Sequence, residues 1–287
     1  MLPLLKSLRP HQWSKNLLLA VPPIAAQIWM RPDVIPAFLF GFAAFSLAAS
    51  GSYVINDLFD RAADRRHPAK RHRPFATGEL QPAVGIVAGP VLMIGGLALG
   101  YFFVNRPFAL VLLAYLVLTI AYTTLLKQRL LLDVLVLSGL YAMRLLAGGA
   151  AVDITVSSWL LAFSMFFFLS VAFAKRLVEL DSADDEDTGR AYRPQDREAI
   201  RNVGPACGLL SILVLALYIN SNAVNAVYGA PQVLWLLCLL MLYWVLRLWF
   251  LTMRGDLHHD PVVFALRDKV SYAVAIGALL VLYLASP

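Results

Sequence analysis

Three aspartates are spaced so that they share one face of a helix, directly after an apolar stretch. Asp57, Asp60 and Asp64 stand at i, i+3 and i+7, and Asn56 lies one turn before Asp60. Like charges one turn apart repel, and acids near hydrocarbon are costly, so the cluster indicates a function. Mg²⁺ relieves such repulsion and prefers oxygen ligands from carboxylates, water and substrate phosphates. The spacing predicts a Mg²⁺ site formed by Asn56, Asp57, Asp60 and Asp64.

A basic run follows the acids within a few residues. It starts at Arg65 and Arg66 and continues with Lys70, Arg71 and Arg73. Acids for a metal beside bases for phosphate suit a Mg²⁺–diphosphate, because Arg makes planar bidentate contacts and Lys supplies a point charge. Two alternatives stay open. The acids could simply pair with these arginines at a solvated helix end, and the basic run could serve to attract lipid headgroups.

The composition indicates which elements must hold these side chains. Of the 287 residues, 60% are hydrophobic and 15% are charged, and the mean hydropathy is +0.70. A soluble domain carries about 25% charged residues. Several apolar blocks reach the roughly 20 residues that a helix needs to cross a bilayer. The sequence therefore predicts an all-α polytopic membrane protein. It excludes a disulfide scaffold, since Cys207 and Cys238 both lie in apolar blocks.

Polar borders divide the apolar residues into nine candidate spans, with eight as the alternative because Pro22 and Pro23 interrupt the first. We expect the nine spans to form a single domain over residues 1–287. The predicted spans are 15–30, 34–58, 82–104, 108–126, 132–151, 157–180, 200–219, 232–252 and 264–285.

The charges predict the orientation of these spans. Among the 24 Lys and Arg residues, only Arg31 and Arg106 fall in the connections on the side opposite the N-terminus. The acids follow the same asymmetry, with only Asp33 and Asp153 on that side. By the positive-inside rule the charged side is cytoplasmic, so we expect an inner-membrane protein with its N-terminus inside. The long charged loops predict a reaction surface there.

Polar residues inside the predicted spans are further candidates. Asp133 and Arg144 lie about three turns apart on one face of the fifth span, and Tyr141 is one turn from Arg144. Arg144 should face a cavity, either as a phosphate ligand or as the partner of an acid on another helix. Lys15 and Asn16 begin the first span, where Lys15 could reach a phosphate or snorkel to the interface.

The aspartate motif resembles a known family. Asn56-Asp57-x-x-Asp60-x-x-x-Asp64 is similar to the first aspartate-rich motif of the UbiA superfamily of intramembrane prenyltransferases. The resemblance implies nine transmembrane helices around a cytoplasm-facing cavity. Four further segments resemble the branch that contains decaprenyl-phosphate phosphoribosyltransferase. They are residues 8–16 (LRPHQWSKN), 67–74 (HPAKRHRP), 175–180 (KRLVEL) and 260–268 (DPVVFALRD).

The sequence departs from aromatic prenyltransferases of this superfamily at the end of the sixth span. Those enzymes carry a second aspartate-rich motif there, for a second Mg²⁺. This chain has Lys175, Arg176 and Glu179, followed by Asp181 and the acidic run 184–187. Such a run is more typical of a solvated loop than of a ligand set. One acidic motif beside a basic one suits a single Mg²⁺–diphosphate and a metal-free phosphate, as in 5-phosphoribosyl 1-diphosphate.

The resemblance therefore implies Mg²⁺-dependent transfer of 5-phosphoribosyl from 5-phosphoribosyl 1-diphosphate to a polyprenyl phosphate. The aspartates with Asn56 would hold the metal, and Glu179 or Asp181 would orient the ribose hydroxyls. Asn16 and Tyr141 are expected beside the substrate. The basic residues expected at the phosphates are Lys15, Lys70, Arg71, Arg73, Arg144, Lys175 and Arg176.

Two other functions stay open. Prenyl transfer from a polyprenyl diphosphate to an aromatic or other acceptor would need a second acidic pair. An anion transporter would bind its cargo with basic residues near the midplane. The bilayer is an expected partner and nucleic acid is not, while oligomerisation is left open. His258 and His259 are adjacent and poorly placed to share a transition metal from one helix.

Overall fold

The computed structural model describes residues 3–66, 70–181, 191–257 and 260–286, and the part of the chain so described contains helices and no strand. Two compact units can be distinguished by their internal contacts. The first comprises Met1–Ile24, Ile28–Leu126 and Met143–Thr155. The second comprises Ala25–Gln27, Lys127–Ala142 and Val156–Pro287. The single domain expected over residues 1–287 stays a prediction.

The elements that precede residue 127 supply most of the first unit. They are α1 (Pro3–Leu8), a 3₁₀ helix (Pro10–Ala20), α2 (Val21–Ala25), α3 (Val34–Phe59), α4 (Arg61–Arg66), α5 (Pro74–Thr77), α6 (Pro82–Phe103), α7 (Arg106–Ala121) and a π-helical turn (Tyr122–Leu126).

The remaining elements begin with α8, whose residues up to 142 belong to the second unit and the rest to the first. They are α8 (Leu132–Ala151), α9 (Ser158–Asp181), a 3₁₀ turn (Pro194–Asp196), α10 (Arg197–Ile219), α11 (Asn222–Asn225), a 3₁₀ turn (Pro231–Leu234), α12 (Trp235–Arg254), α13 (Pro261–Ala265) and α14 (Lys269–Leu284).

Seven helical segments of the described chain are long and apolar enough to cross a membrane. They confirm the second to eighth predicted spans to within a few residues. The last predicted span is shorter than expected, because α14 begins only at Lys269, where the Asp268 side chain accepts a hydrogen bond from the Ser271 N–H at 2.8 Å. The seven spans and this shorter helix do not confirm the count of nine.

The first predicted span differs most from expectation. Residues 10–20 form a 3₁₀ helix and α2 adds only five residues, so no α-helix of spanning length is formed there. Pro22 and Pro23 lack the N–H groups that would bond to the carbonyls of residues 18 and 19, which prevents an α-helix from running through. The 3₁₀ helix is anchored instead by Asn16 and Leu19, which are buried.

Helices α3 and α6 approach each other closely through glycines in the first unit. A Cβ atom added to Gly96 would lie 2.6 Å from the Ala44 carbonyl oxygen, and one added to Gly51 would lie 2.6 Å from the Gly89 carbonyl oxygen. Small residues allow membrane helices to pack backbone against backbone. This packing fixes α3, which carries the aspartate motif at its end.

A buried polar relay joins three helices of the second unit. The Trp249 indole N–H donates to Ser170 Oγ at 2.8 Å, and that hydroxyl donates to the Gly204 carbonyl at 2.7 Å. Trp249 lies on α12, Ser170 on α9 and Gly204 on α10. The relay satisfies the indole in an apolar interior and holds α9, whose last turns carry residues 175–181.

Candidate active site

The aspartate motif lies where α3 gives way to α4. Asp57 occupies the last turn of α3 and is 1% exposed, and Asp64 on α4 is 3% exposed. Asp60 lies between the two helices, so the motif is not one uninterrupted helix. Helical bonding nearly continues, because the Asp60 N–H donates to the Asn56 carbonyl at 2.9 Å and the Asp64 N–H to the Asp60 carbonyl at 2.8 Å. Asp57 and Asp64 therefore lie on one side of this junction.

Arg73 bridges the two buried carboxylates with a single nitrogen. Its Nη1 lies 3.0 Å from Asp57 Oδ1 and 2.8 Å from Asp64 Oδ2. The Nη1 atom belongs to a cation and contacts one oxygen of each carboxylate. Its position therefore marks a point where both carboxylates stabilise a cation. Mg²⁺ is typically held by one or two carboxylates together with phosphates and water. The two carboxylates and their approach to a single position thus fit a magnesium ion.

Among the residues that the structure describes, no third acid completes a metal cage at this point. In the described ranges, no three His, Cys, Asp or Glu side chains are grouped as metal ligands. Asp60 is half-buried and is engaged in a contact of its own, and Asn56 is also half-buried. The assignment of Asn56 and Asp60 to a metal stays a prediction.

Arg9 is a site residue that the sequence did not reveal. Its Nη2 donates to Asp57 Oδ1 at 2.5 Å, and its guanidinium carbon lies 5.4 Å from the centre of the Tyr53 ring. Burial lowers the pKa of Arg9 from its ordinary value, and the Asp57 carboxylate acts in the opposite direction. The sequence could have pointed to Arg9 through its place in the family-like segment of residues 8–16, directly before Pro10.

Hydrogen bonds hold the N-terminal segment in a position from which Arg9 reaches Asp57. Lys6 Nζ donates to the His72 carbonyl at 3.0 Å, and Ser50 Oγ donates to the Leu8 carbonyl at 2.9 Å. The Trp13 indole N–H donates to the same Ser50 hydroxyl at 2.9 Å. Arg9 itself takes a left-handed backbone conformation, with φ at 51°. Such a conformation costs a non-glycine residue free energy and persists only where neighbouring contacts hold it.

A second buried group in the first unit surrounds Arg144. Its Nε donates to Asn16 Oδ1 at 3.1 Å and its Nη2 to the Tyr115 hydroxyl at 3.1 Å. The guanidinium carbon lies 5.3 Å from the centre of the Phe45 ring and 4.9 Å from that of Tyr115. Asn16 donates in turn to Ser46 Oγ at 3.0 Å. This group joins the 3₁₀ helix to α3, α7 and α8.

The second unit contains an ion-pair cluster at the end of α9. Arg176 is 1% exposed, and its Nε lies 2.6 Å from Oδ2 of Asp133, which is fully buried. Arg176 also pairs with Glu179 one turn further on. Burial, together with the nearby Asp133 carboxylate, raises the pKa of Tyr192 to about 12. The structure thus brings Asp133, Arg176 and Glu179 together.

The other predicted residues of the second unit lie in separate contacts. Lys175 Nζ is 3.0 Å from Asp260 Oδ2, and Asp181 Oδ1 is 3.0 Å from Arg197 Nε. Tyr141 stacks on Phe168, with ring centres 4.8 Å apart. In these contacts Asp181 pairs with Arg197 and Tyr141 with Phe168, and their assignment to the substrate stays a prediction.

The remaining basic candidates lie nearer the surface of the first unit. Arg71 is exposed and its Nε donates to His72 Nε2 at 3.4 Å, while Lys15 and Lys70 are half-buried and engaged in contacts. Some predicted residues lie outside the described part of the chain. These are the loop start 67–69, the acidic run 184–187 and the pair His258 and His259.

A family model identifies the chain. The model described as the UbiA prenyltransferase family matches residues 19–267, which is most of the sequence. The chain belongs to the UbiA prenyltransferase family. Together with its apolar helices, this makes it an integral membrane protein of a transferase family, in agreement with the all-α membrane fold expected above.

Curated relatives of this UbiA family chain come from several bacteria. Protein y4nM of Sinorhizobium fredii is 40% identical over 281 residues, which cover 96% of the chain and 54% of that protein. Nodulation protein NoeC of Azorhizobium caulinodans is 36% identical over 278 residues, covering 95% of the chain and 89% of NoeC. The chain thus spans about half the length of y4nM but nearly all of NoeC.

A third relative has a named activity. Decaprenyl-phosphate phosphoribosyltransferase of Mycobacterium tuberculosis is 38% identical over 192 residues, covering 66% of the chain and 63% of that enzyme. Among solved structures, a UbiA homolog from Archaeoglobus fulgidus bound to GPP and Mg²⁺ superposes with a TM-score of 0.76 at 16% identity, covering 98% of the chain and 99% of the homolog. This likeness supports the UbiA fold.

Proposed function

We propose that this UbiA family protein transfers 5-phosphoribosyl from 5-phosphoribosyl 1-diphosphate to a polyprenyl phosphate and releases diphosphate. The observation that carries the proposal is the convergence of Asp57 and Asp64 on one cationic nitrogen of Arg73, with Arg9 beside it. Two buried carboxylates and two guanidiniums supply ligands for a divalent cation and for phosphate oxygens in one place.

Asp57 and Asp64 are the residues that would hold Mg²⁺, with Asn56 and Asp60 as the neighbouring candidates. When bound there, the metal would neutralise charge on the departing diphosphate. Arg73, with Lys70 and Arg71 on the same loop, would bind the diphosphate oxygens and stabilise them as the bond to ribose C1 breaks.

The proposed reaction requires little proton transfer by the protein. The bond between ribose C1 and a diphosphate oxygen breaks, and a phosphate oxygen of the lipid forms the new bond to C1. A phosphate monoester is already anionic at neutral pH, so the protein needs no strong general base. Positioning of the two phosphates is therefore the main task of the side chains. Lys15 on the 3₁₀ helix is the candidate for one of them.

The end of α9 supports a single metal site. At the place where a second aspartate-rich motif would be expected, Arg176 forms ion pairs with Asp133 and Glu179. A second metal would need further acids here, but the two residues that precede Leu177 are the basic Lys175 and Arg176. Lys175 is 26% exposed and is the better candidate for a metal-free phosphate, with Glu179 or Asp181 at the ribose hydroxyls.

We place the reaction at the cytoplasmic face of the inner membrane. The proposal relies on the positive-inside asymmetry, in which the charged loops next to Asp57 and Lys175 lie on the side that carries most of the Lys and Arg residues. A water-soluble donor would reach this face from the cytoplasm, while the lipid acceptor would stay in the bilayer.

The experiment that tests the proposal compares two donor and acceptor pairs. The purified protein is incubated with Mg²⁺, 5-phosphoribosyl 1-diphosphate and a polyprenyl phosphate, and the lipid is analysed by mass spectrometry. We expect a lipid that has gained one phosphopentose, and no such product with EDTA or without the donor. A product formed only from a polyprenyl diphosphate and an aromatic acceptor would overturn the proposal.

Prenyl transfer from a polyprenyl diphosphate is the second candidate. The Archaeoglobus fulgidus homolog bound to GPP and Mg²⁺ favours it, because a prenyl diphosphate offers the same Mg²⁺–diphosphate group to an aspartate motif. The relative that is a decaprenyl-phosphate phosphoribosyltransferase favours the first candidate. Family membership argues against the anion transporter.

A further inference from the structure

Two arginines converge on a single carboxylate oxygen in the candidate active site. Arg9 Nη2 lies 2.5 Å and Arg73 Nη1 3.0 Å from Asp57 Oδ1. The two guanidiniums come from distant parts of the chain, one from the N-terminal segment and one from the loop before α5. A lone pair that accepts from a guanidinium at this distance cannot at the same time bind a metal ion at about 2.0–2.1 Å.

We propose that Arg9 and Arg73 compete with a free divalent cation for Asp57, and transfer to phosphate oxygens when diphosphate arrives, so that metal and diphosphate bind together. The proposal rests on the proposed function, since it takes the aspartate motif as the metal–diphosphate site. Arg9 is thereby a diphosphate-binding residue that no spacing in the motif revealed.

The charges of the four side chains support this coupling. Asp57 and Asp64 carry two negative charges and Arg9 and Arg73 two positive ones, so the group is neutral as it stands. A dication added alone would leave an excess of two positive charges in a largely buried place, which is costly. A dication that arrives with a diphosphate brings its own negative charge, and the displaced guanidiniums gain new charge-assisted hydrogen bonds.

The exposure of the side chains fits an exchange of partners. The side chains of Arg9 and Arg73 are 20% and 24% exposed, whereas that of Asp57 is 1% exposed. The two arginine side chains are thus more accessible than the carboxylate, so an arriving soluble diphosphate reaches them before Asp57. Arg9 also has a strained backbone, so its position depends on the contacts of its neighbours and of Asp57.

The test measures metal binding without turnover. Binding of Mn²⁺ to the purified protein is followed by electron paramagnetic resonance, with and without inorganic diphosphate. We expect the wild type to bind Mn²⁺ weakly alone and more tightly with diphosphate. Arg9→Gln should bind Mn²⁺ alone about tenfold more tightly than the wild type, and should lose about tenfold in affinity for the Mn²⁺–diphosphate complex, the effect typical of one hydrogen bond to a charged group.

Matched variants separate this exchange from a general charge effect. Arg254→Gln removes the same charge from an exposed position at the end of α12 and should leave both affinities unchanged. Arg9→Lys keeps the charge and should bind free Mn²⁺ as weakly as the wild type. If Arg9→Gln does not fold, Arg73→Gln is measured in its place, with the same expected directions.

The outcomes distinguish failure of this inference from failure of the proposed function. Unchanged or weaker binding of free Mn²⁺ by Arg9→Gln would overturn the inference. The aspartate site would still stand if Asp57→Asn abolished the binding of Mn²⁺ with diphosphate. If Asp57→Asn bound that complex as well as the wild type, the metal assignment in the proposed function would fall, and this inference with it.

Discussion

Replacement of Arg144 by lysine tests whether this buried arginine supports the structure or binds a phosphate. The guanidinium donates to both Asn16 and Tyr115 and lies over the rings of Phe45 and Tyr115. A lysine ammonium is a compact point charge and cannot reach both acceptors with the geometry of a planar fork. The loss of one hydrogen bond to a charged group costs about 1.5–3 kcal/mol, and weaker stacking on the rings adds about 0.5–1 kcal/mol.

The expected loss of about 2–4 kcal/mol is measured as a fall in the thermal unfolding midpoint in detergent. At roughly 2 °C per kcal/mol, the low end of the scaling for chains of 150–250 residues and the value nearest to this longer chain, this corresponds to roughly 4–8 °C. Arg254→Lys, at an exposed position at the end of α12, is the control and should change the midpoint little. An Arg144→Lys protein of wild-type stability with a raised KM for one phosphate substrate would refute the structural role and assign Arg144 to that phosphate.

Two further predictions concern packing and pH. Gly96→Ala should destabilise the protein by about 1–3 kcal/mol, because its Cβ would lie 2.6 Å from the Ala44 carbonyl oxygen, whereas Gly95→Ala, with open space around it, should be neutral or stabilising in thermal unfolding. The Asp268 pKa is lowered: burial acts against this, but hydrogen bonds from Arg247 and Ser271 prevail. A lowered pKa contributes stability above the pKa of the unfolded state, about 3.9, which is lost as the pH falls through the folded value. The unfolding midpoint of the wild type should therefore exceed that of Asp268→Asn at pH 6, and the gap should narrow towards pH 3; a constant gap would contradict this origin.

The apolar spans were predictable because their signal is local. A helix that crosses a bilayer needs a continuous run of apolar residues, and seven such runs are helices within a few residues of their predicted bounds. The first span is not confirmed as an α-helix of spanning length, for a reason that the sequence did contain. Pro22 and Pro23 interrupt the α-helical bonding, and the buried Asn16 gives the preceding turns a polar anchor that favours a different helix.

Only some of the residues of the candidate site could be predicted from the sequence. Asp57 and Asp64 follow from their spacing, since helical periodicity relates residues that are close in sequence. Arg9 is 48 residues from Asp57, and Asn16 is 128 residues from Arg144, so no local period connects either pair. Such contacts depend on how the 3₁₀ helix packs against α3 and α8, which a single sequence does not encode as a pattern.

In the proposed function, the buried pair Asp57 and Asp64 binds the metal–diphosphate group of the donor. The most direct test compares the initial rate of phosphopentose transfer, as a function of Mg²⁺ concentration, for the wild type, Asp57→Asn and Asp33→Asn. Asp33 is exposed and pairs with Arg31, so its substitution removes the same charge at another place. We expect Asp57→Asn to fold and to lose at least about a hundredfold in rate, because charge stabilisation at the reacting group is lost, while Asp33→Asn keeps the rate and the Mg²⁺ dependence of the wild type. A folded Asp57→Asn protein with the Mg²⁺ dependence and rate of the wild type would contradict the claim.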